Sequence, residues 1–203
     1  MLNRLYIVLG VIVVLVLAAA FIVPHVIPWG NYRGRMEMLA SQALGTPVRI
    51  NGDIAFVLLP APHLVLNDLA VGPQQHPVLS VTSASADFSL IDFLRDRYSM
   101  TSLVLDHPEL AITVDRNGGI DTGIHLAGAE SQVALSIAQA RIEDGTVRVT
   151  DAGAGRTYAV DGLAGDLTVG AIGGPFGFSG RGRLAGQDFS LRINASALDP
   201  HGT

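Results

Sequence analysis

The stretch from Leu5 to Val23, LYIVLGVIVVLVLAAAFIV, determines where the rest of the chain lies. It contains no charged residue, no side-chain amide and no proline. As an α-helix it would be about 28 Å long, close to the roughly 30 Å hydrocarbon thickness of a bilayer. A soluble helix is rarely apolar on every face over such a length. The stretch therefore predicts a helix that spans a membrane.

A cleaved secretory signal is the competing interpretation of this stretch. Arg4 would supply its positive start, and the small residues Ala18 to Ala20 would supply a cleavage site. The apolar run is longer than the ~7–15 residues usual in such signals and continues to Val23, which favours an anchor. A short N-terminal tail before a long domain is typical of a single-pass anchor with the N-terminus in the cytoplasm. Both interpretations send the bulk of the chain across the membrane.

Composition limits the classes of function. The chain has 203 residues, which leaves enough beyond residue 30 for a domain with a core. Its net charge of −5 argues against nucleic acid as a partner. It has no cysteine, which excludes disulfides, thiolate chemistry and cysteine metal sites.

An amphipathic helix is predicted from Tyr32 to Leu44, with Asn31 as its N-cap and Gly45 ending it. At three- and four-residue spacing, one apolar stripe is formed by Tyr32, Met36, Leu39, Ala40 and Ala43. That stripe either covers the sheet that follows or lies at the membrane surface.

From Val48 onward the apolar residues alternate with polar ones, which is typical of strands. Asn51-Gly52 predicts a hairpin turn, and a phase slip at Asn67-Asp68 predicts a β-bulge. Leu79 to Leu90 is the clearest alternating strand, and Ile91 to Arg97 is a short helical turn. Gly123 to Ser131 is predicted as a polar connector, and Glu143 to Gly145 as a turn within the later strands.

The predicted sheet is too wide for its predicted helices. About ten strands at ~4.8 Å spacing far exceed the ~10 Å diameter of one helix. Either the sheet folds onto itself as a sandwich or barrel, or its apolar face remains a groove. A groove held next to a membrane would be filled by lipid chains.

Sequence motifs of catalysis are absent. The six histidines show no metal-ligand spacing, and there is no G-x-S-x-G elbow and no P-loop. Asp115 to Asp121 begins like a calcium loop but lacks its later ligands, which favours a hairpin turn. Arg181 and Arg183 alternate with glycines and are expected on the solvent face of a strand. We therefore expect no enzyme activity, no metal and no cofactor.

Several segments, in their order, resemble the N-terminal region of the AsmA family of Gram-negative bacteria. The resemblance begins with the anchor and a helix opened by Tyr32, and it covers most of the chain. The segments that match are Gly45 to Ile54, Pro60 to Val71, Leu103 to Asp115 with Asn117 to Gly119, and Ile142 to Asp151.

The resemblance implies an inner-membrane anchor, a periplasmic domain and a role in outer-membrane biogenesis. It also implies a likeness to bridge-like lipid-transfer proteins with a chorein-type N-terminus, whose U-shaped sheet cradles acyl chains. The expected domains are 1–30 (anchor and hinge), 31–122 (chorein-like helix and sheet) and 123–203 (continuing β-meander).

The fold expected is therefore mainly β, with an anchor helix, one amphipathic helix and an extended, curved antiparallel sheet. The leading hypothesis is a non-enzymatic β-groove that holds phospholipid acyl chains at the inner membrane. An assembly or scaffold factor for outer-membrane proteins, with a closed core, is the alternative. The expected partners are membrane phospholipid, the inner membrane, and periplasmic or outer-membrane proteins. The residues expected to line the groove are Ile54, Phe56, Leu64, Leu66, Phe88, Leu90, Leu110, Ile112 and Val114.

Overall fold

The structure is a computed structural model that describes residues 2–93, 95, 99–117, 119–121, 136–137, 139–169 and 176–195. The predicted connector from Gly123 to Ser131 lies outside these residues. The helices are α1 (Leu2–Val26), a 3₁₀ helix (Trp29–Tyr32), α2 (Arg33–Leu44) and α3 (Leu90–Phe93). The strands are β1 (Val48–Ile50), β2 (Ile54–Val57), β3 (His63–Val71), β4 (Leu79–Phe88), β5 (Ser99–Val114), β6 (Ile120–Asp121), β7 (Ser136–Ile137), β8 (Ala140–Asp151), β9 (Arg156–Val169), β10 (Phe176–Leu184) and β11 (Gln187–Ala195).

Helix α1 contains the predicted anchor. The segment Arg4–Pro24 is long and apolar enough to cross a membrane, and an 18-residue stretch within it has no residue buried in the protein. Its large apolar side chains are about half exposed or more. Such a surface is stable in hydrocarbon, where a helix satisfies its own backbone hydrogen bonds. The helix thus fits single-pass membrane anchoring.

The strands form one open sheet in the order β1-β3-β4-β5-β8-β9-β10-β11, and β2 continues the β1 edge by pairing with β3. The described strands do not close into a barrel, which confirms a mainly β, open sheet. The predicted antiparallel sheet contains one parallel junction, because β5 pairs in parallel with β7 and β8. Parallel neighbours need a long connection that returns the chain to the same end of the sheet. Alternation along each strand carries no information on this direction.

The predicted hairpin at Asn51-Gly52 does not form. Strands β1 and β2 both pair with β3, so they are two parts of one interrupted edge strand. The backbone N–H of Gly52 donates to the Asn67 carbonyl at 3.1 Å. A Cβ at Gly52 would lie 2.7 Å from that carbonyl oxygen, so this glycine permits a close backbone approach instead of a tight turn.

Helix α2 covers the β1 edge with polar side chains. Arg33 donates to the Gly52 carbonyl, Glu37 accepts the Ile50 N–H, and Ser41 accepts the Val48 N–H, each at 2.8 Å. Four helical residues rise about 6 Å and two strand residues about 6.6 Å, so the two spacings match. The helix therefore runs antiparallel to β1, and its side chains make hydrogen bonds to the backbone groups of β1 that face away from the sheet.

Two details of the predicted helix are corrected. The N-cap is Tyr32 instead of Asn31, and it makes no side-chain capping bond. Leu39, in the predicted apolar stripe, is exposed, whereas the residues bonded to the sheet are polar. The expected helix end is confirmed, since Gly45 adopts the left-handed conformation with φ 63°.

The Glu37 contact gives a stability prediction. Glu37→Leu leaves the backbone N–H of Ile50 without an acceptor. Because Ile50 is buried, this change should lower the free energy of unfolding by about 1–3 kcal/mol. Glu37→Gln is the matched control, since its amide oxygen still accepts the bond. Thermal unfolding of the full chain in detergent measures both variants. A Leu variant as stable as the wild type would contradict the edge-capping role.

Candidate functional site

The inner face of the sheet, defined here by the side chains that share one side, is mainly apolar across all eight strand positions. At its margin beyond Val114 and Leu184, the register also places Asp151, Arg156 and Gln187 on this face. Cross-strand partners point to the same side, so the register identifies its members. The half nearer Val57 comprises Ile54, Phe56, Leu64, Leu66, Ala84, Ala86, Leu103, Leu105, Ala140, Ile142, Gly165, Leu167, Phe178, Gly180, Leu191 and Ile193. The other half comprises Val48, Ile50, Leu69, Val71, Leu79, Val81, Pro108, Leu110, Ile112, Val114, Gly145, Val147, Val149, Tyr158, Val160, Leu163, Gly182, Leu184 and Phe189.

A row of left-handed residues separates these halves. Asp68 in β3, His107 in β5, Asp144 in β8 and Gly162 in β9 all have φ between 49° and 60°. The pairing places them at one level of the sheet. In four adjacent strands the apolar residues here lie three apart, as in the pairs Leu66/Leu69, Ala84/Val81, Leu105/Pro108 and Ile142/Gly145.

This row keeps the inner face continuous. Strict alternation would put side chains three residues apart on opposite sides of the sheet. Yet a Cβ at Gly145 would lie 3.0 Å from Ile142 Cγ2 and 3.2 Å from the Pro108 ring, so all three lie on one side. The irregular residues thus keep the apolar side chains on either side of the row on the same face of the sheet.

The outer face carries the charges. His107 places Nδ1 2.8 Å from Asp106 Oδ1 and Nε2 3.1 Å from Asp144 Oδ2, which links the parallel strands β5 and β8. The hydrogen bond and charge of Asp166 raise the pKa of Arg141 on the same face. Further exposed ion pairs on this face join Arg148 to Glu109 and Arg183 to Asp188.

Two open clefts also lie over β8 to β10. Charged outer-face residues, among them Glu143 and Arg181, line them. In the described ranges no group of three or more His, Asp or Glu side chains is placed to hold a metal ion. The first cleft is also lined by Ile142, Gly165 and Gly180 of the inner-face strands, so it is mixed in character.

Exposure of the inner face changes across the sheet. Val71 and Val81, near the β1 edge, are 0% and 2% exposed. Leu191 and Ile193 in β11 are 41% and 49% exposed. Among the described elements, the helices pack chiefly against β1 and β2. Among the described residues, the inner face is therefore covered near the β1 edge and open toward β11.

Most of the predicted lining residues fall on this face. Ile54, Phe56, Leu64 and Leu66 lie together in one half, and Leu110, Ile112 and Val114 lie together in the other, all half-buried. Phe88 ends β4 opposite Met100, also half-buried.

Leu90 is the exception, because the predicted strand from Leu79 to Leu90 stops at Phe88. Ser89 Oγ accepts the Asp92 N–H at 3.3 Å, and Leu90 begins α3. Lipid contact of these residues stays a prediction.

The left-handed row was only partly visible in the sequence. The phase slip at Asn67-Asp68 predicts one member of the row, and Asp68 does have a φ of 52°. The equivalent slip at Glu143 to Gly145 has the composition of a turn, but these residues lie within β8. Apolar residues three apart in successive strands are the signal that could have identified it.

Comparison with curated proteins and with solved structures gave no match. The family model described as "AsmA family" matches residues 1–187, which is most of the 203-residue chain. The match includes the anchor helix, α2 and the sheet as far as the start of β11. The chain therefore belongs to the AsmA family.

Proposed function

We propose that this protein is a non-enzymatic, inner-membrane protein whose periplasmic sheet holds phospholipid acyl chains on its inner face. In this role it passes lipid toward the outer membrane. Membership of the AsmA family fits outer-membrane biogenesis or lipid transport at the level of the family. Helix α1 supports attachment to a membrane.

The observation that carries the proposal is the open, continuous apolar face. Eight strand positions at ~4.8 Å spacing make it about 34 Å across. Helix α2, about 10 Å in diameter, lies at the β1 edge and leaves most of that width uncovered. Removing apolar surface from water is favourable by roughly 25 cal/mol of free energy per Å². Acyl chains next to a membrane would supply that cover.

The alternative, a scaffold for outer-membrane proteins, required a closed core. The exposed apolar side chains of Leu191 and Ile193 favour the open face instead. Protein partners in the periplasm or outer membrane remain compatible with a lipid-holding sheet.

Neighbouring residues of β11 provide a matched test. Ile193 lies on the inner face and Asn194 on the outer face, and both are exposed. Ile193→Asp and Asn194→Asp therefore add the same charge on opposite sides at little cost to folding. We expect phospholipid per protein, measured by mass spectrometry after detergent purification, to fall severalfold in Ile193→Asp alone.

Lipid bound around α1 is common to both variants and cancels in this comparison. Equal lipid content in the two variants would refute binding on the inner face. A wild-type chain that carries no more phospholipid than the Ile193→Asp variant would refute it as well.

A further inference from the structure

The end of the sheet near Phe56 is fixed to the point where the chain leaves α1. Trp29 donates its indole N–H to the Pro24 carbonyl at 2.8 Å, at the C-terminal end of α1. The same ring lies 5.0 Å from the Phe56 ring in an edge-on arrangement. Tryptophan is typical of the headgroup level of a bilayer. The last residues of strand β2 therefore lie at the level of the membrane boundary.

From this point, α2 and β2 run in opposite directions. Helix α2 bonds Gly52, then Ile50, then Val48, so it travels away from Trp29. Strand β2 continues past Phe56 into the loop Leu58–Pro62. Two or three residues at ~3.3 Å each carry the chain about 7–10 Å further. The loop therefore lies beyond Trp29, on the side away from α2.

A second apolar segment lies beside this loop. The Phe88 N–H donates to the Pro62 carbonyl at 2.9 Å, and α3 follows two residues later. Ile91 in α3 is 63% exposed, more than any other large apolar side chain beyond α1 in the described ranges. Arg95, next to α3, is exposed and provides a cation.

The two ends of the sheet differ in composition. We call the end with Leu58–Pro62 and α3 the anchor end, and the opposite end the far end. At the far end the described turns are rich in polar residues and glycine, as in Gly72–Pro77, Asp115–Asn117 and Asp151–Gly155. In the part of the anchor end that the structure describes, Pro60, Ala61 and Ile91 are exposed, and Leu58, Leu59 and Leu90 are half-buried beside them. The one acidic residue of α3 is Asp92, which is also half-buried. An apolar end next to the exit of a membrane helix fits a lipid surface.

We propose that the anchor end is a membrane-docking surface. The loop Leu58–Pro62 and α3 rest on the leaflet from which α1 emerges, with Ile91 in the boundary between headgroups and acyl chains. Arg95 interacts there with anionic headgroups. This contact fixes the sheet end-on to the bilayer, so the inner face opens directly at the membrane. The proposal depends on α1 spanning the membrane and not on lipid being bound along the inner face.

Labelling at single cysteines tests this docking, because the natural chain has no cysteine. Ile91→Cys, Gln75→Cys and Leu191→Cys place an environment-sensitive fluorophore at the anchor end, the far end and the inner face. All three positions are exposed. The full-length variants are reconstituted into vesicles of phosphatidylethanolamine and phosphatidylglycerol, with or without nitroxide-labelled phospholipid as a quencher.

We expect the probe at position 91 to be quenched severalfold more than the probe at position 75, with emission shifted to the blue. Equal quenching at positions 91 and 75 would overturn the docking proposal. Quenching at 191 but not at 91 would also overturn it, while supporting lipid on the inner face. Quenching at 91 without quenching at 191 would support docking and count against the proposed function.

Discussion

Replacing Val13 and Val14 together with arginine should abolish retention of the chain in the membrane. Both residues lie near the middle of the apolar segment Arg4–Pro24. Each arginine at the centre of a spanning helix costs about 2.5–3.5 kcal/mol on insertion scales, so the pair costs roughly 5–7 kcal/mol. Membrane fractions washed with carbonate, followed by detection of the intact chain, measure retention.

A charge at the helix end provides the control for this change. Val26→Arg adds an arginine that can reach the headgroups, so this variant should stay in the membrane. If the double variant also stays in the washed membrane, α1 is not the anchor.

Aspartate at two inner-face positions should have opposite consequences. Val81 is 2% exposed, so Val81→Asp buries an unpaired charge and should cost several kcal/mol, well above the ~1 kcal/mol typical of point mutants. Ile112 is half-buried and lies in β5, one strand further from the covered β1 edge. There the carboxylate can reach water when lipid is absent, so Ile112→Asp should keep the fold and lose phospholipid.

The neighbouring outer-face threonines are matched controls. Thr82→Asp and Thr113→Asp place the same charge on exposed residues and should change neither stability nor lipid content. Thermal unfolding and phospholipid per protein are measured on all four variants. If Ile112→Asp unfolds the sheet as Val81→Asp does, the face is a closed core; if it folds and keeps wild-type lipid, the groove does not include this position.

Sequence patterns predicted the fold class, the anchor and the faces of most strands, because these depend on local periodicity and length. Sequence patterns failed where contacts between residues distant in sequence determine the local conformation. Asn51-Gly52 has the chemistry of a hairpin turn, but pairing of both flanking segments with β3 determines its conformation. The local sequence does not indicate whether a hairpin turn or pairing with β3 is favoured.

Pro108 is a second example. A proline suggests a break between strands, yet β5 runs through it. The pairing of β5 with β8 is interrupted between Asp106 and Glu109, so the missing N–H of Pro108 falls where the ladder already lacks a bond. The proline therefore marks the left-handed row, which becomes recognisable only when adjacent strands are aligned.

The capped β1 edge has a consequence for the order of assembly. The ribosome makes α2, β1 and β3 before the later strands, so the edge sealed by Arg33, Glu37 and Ser41 is complete early. Strands β4 and β5, and later β9 to β11, then each pair with the strand made just before. While later strands are added, the part of the first edge that α2 covers is therefore already closed to foreign strands. An N-terminal helix placed along the first strand thereby leaves fewer unpaired backbone groups at which a foreign strand could add.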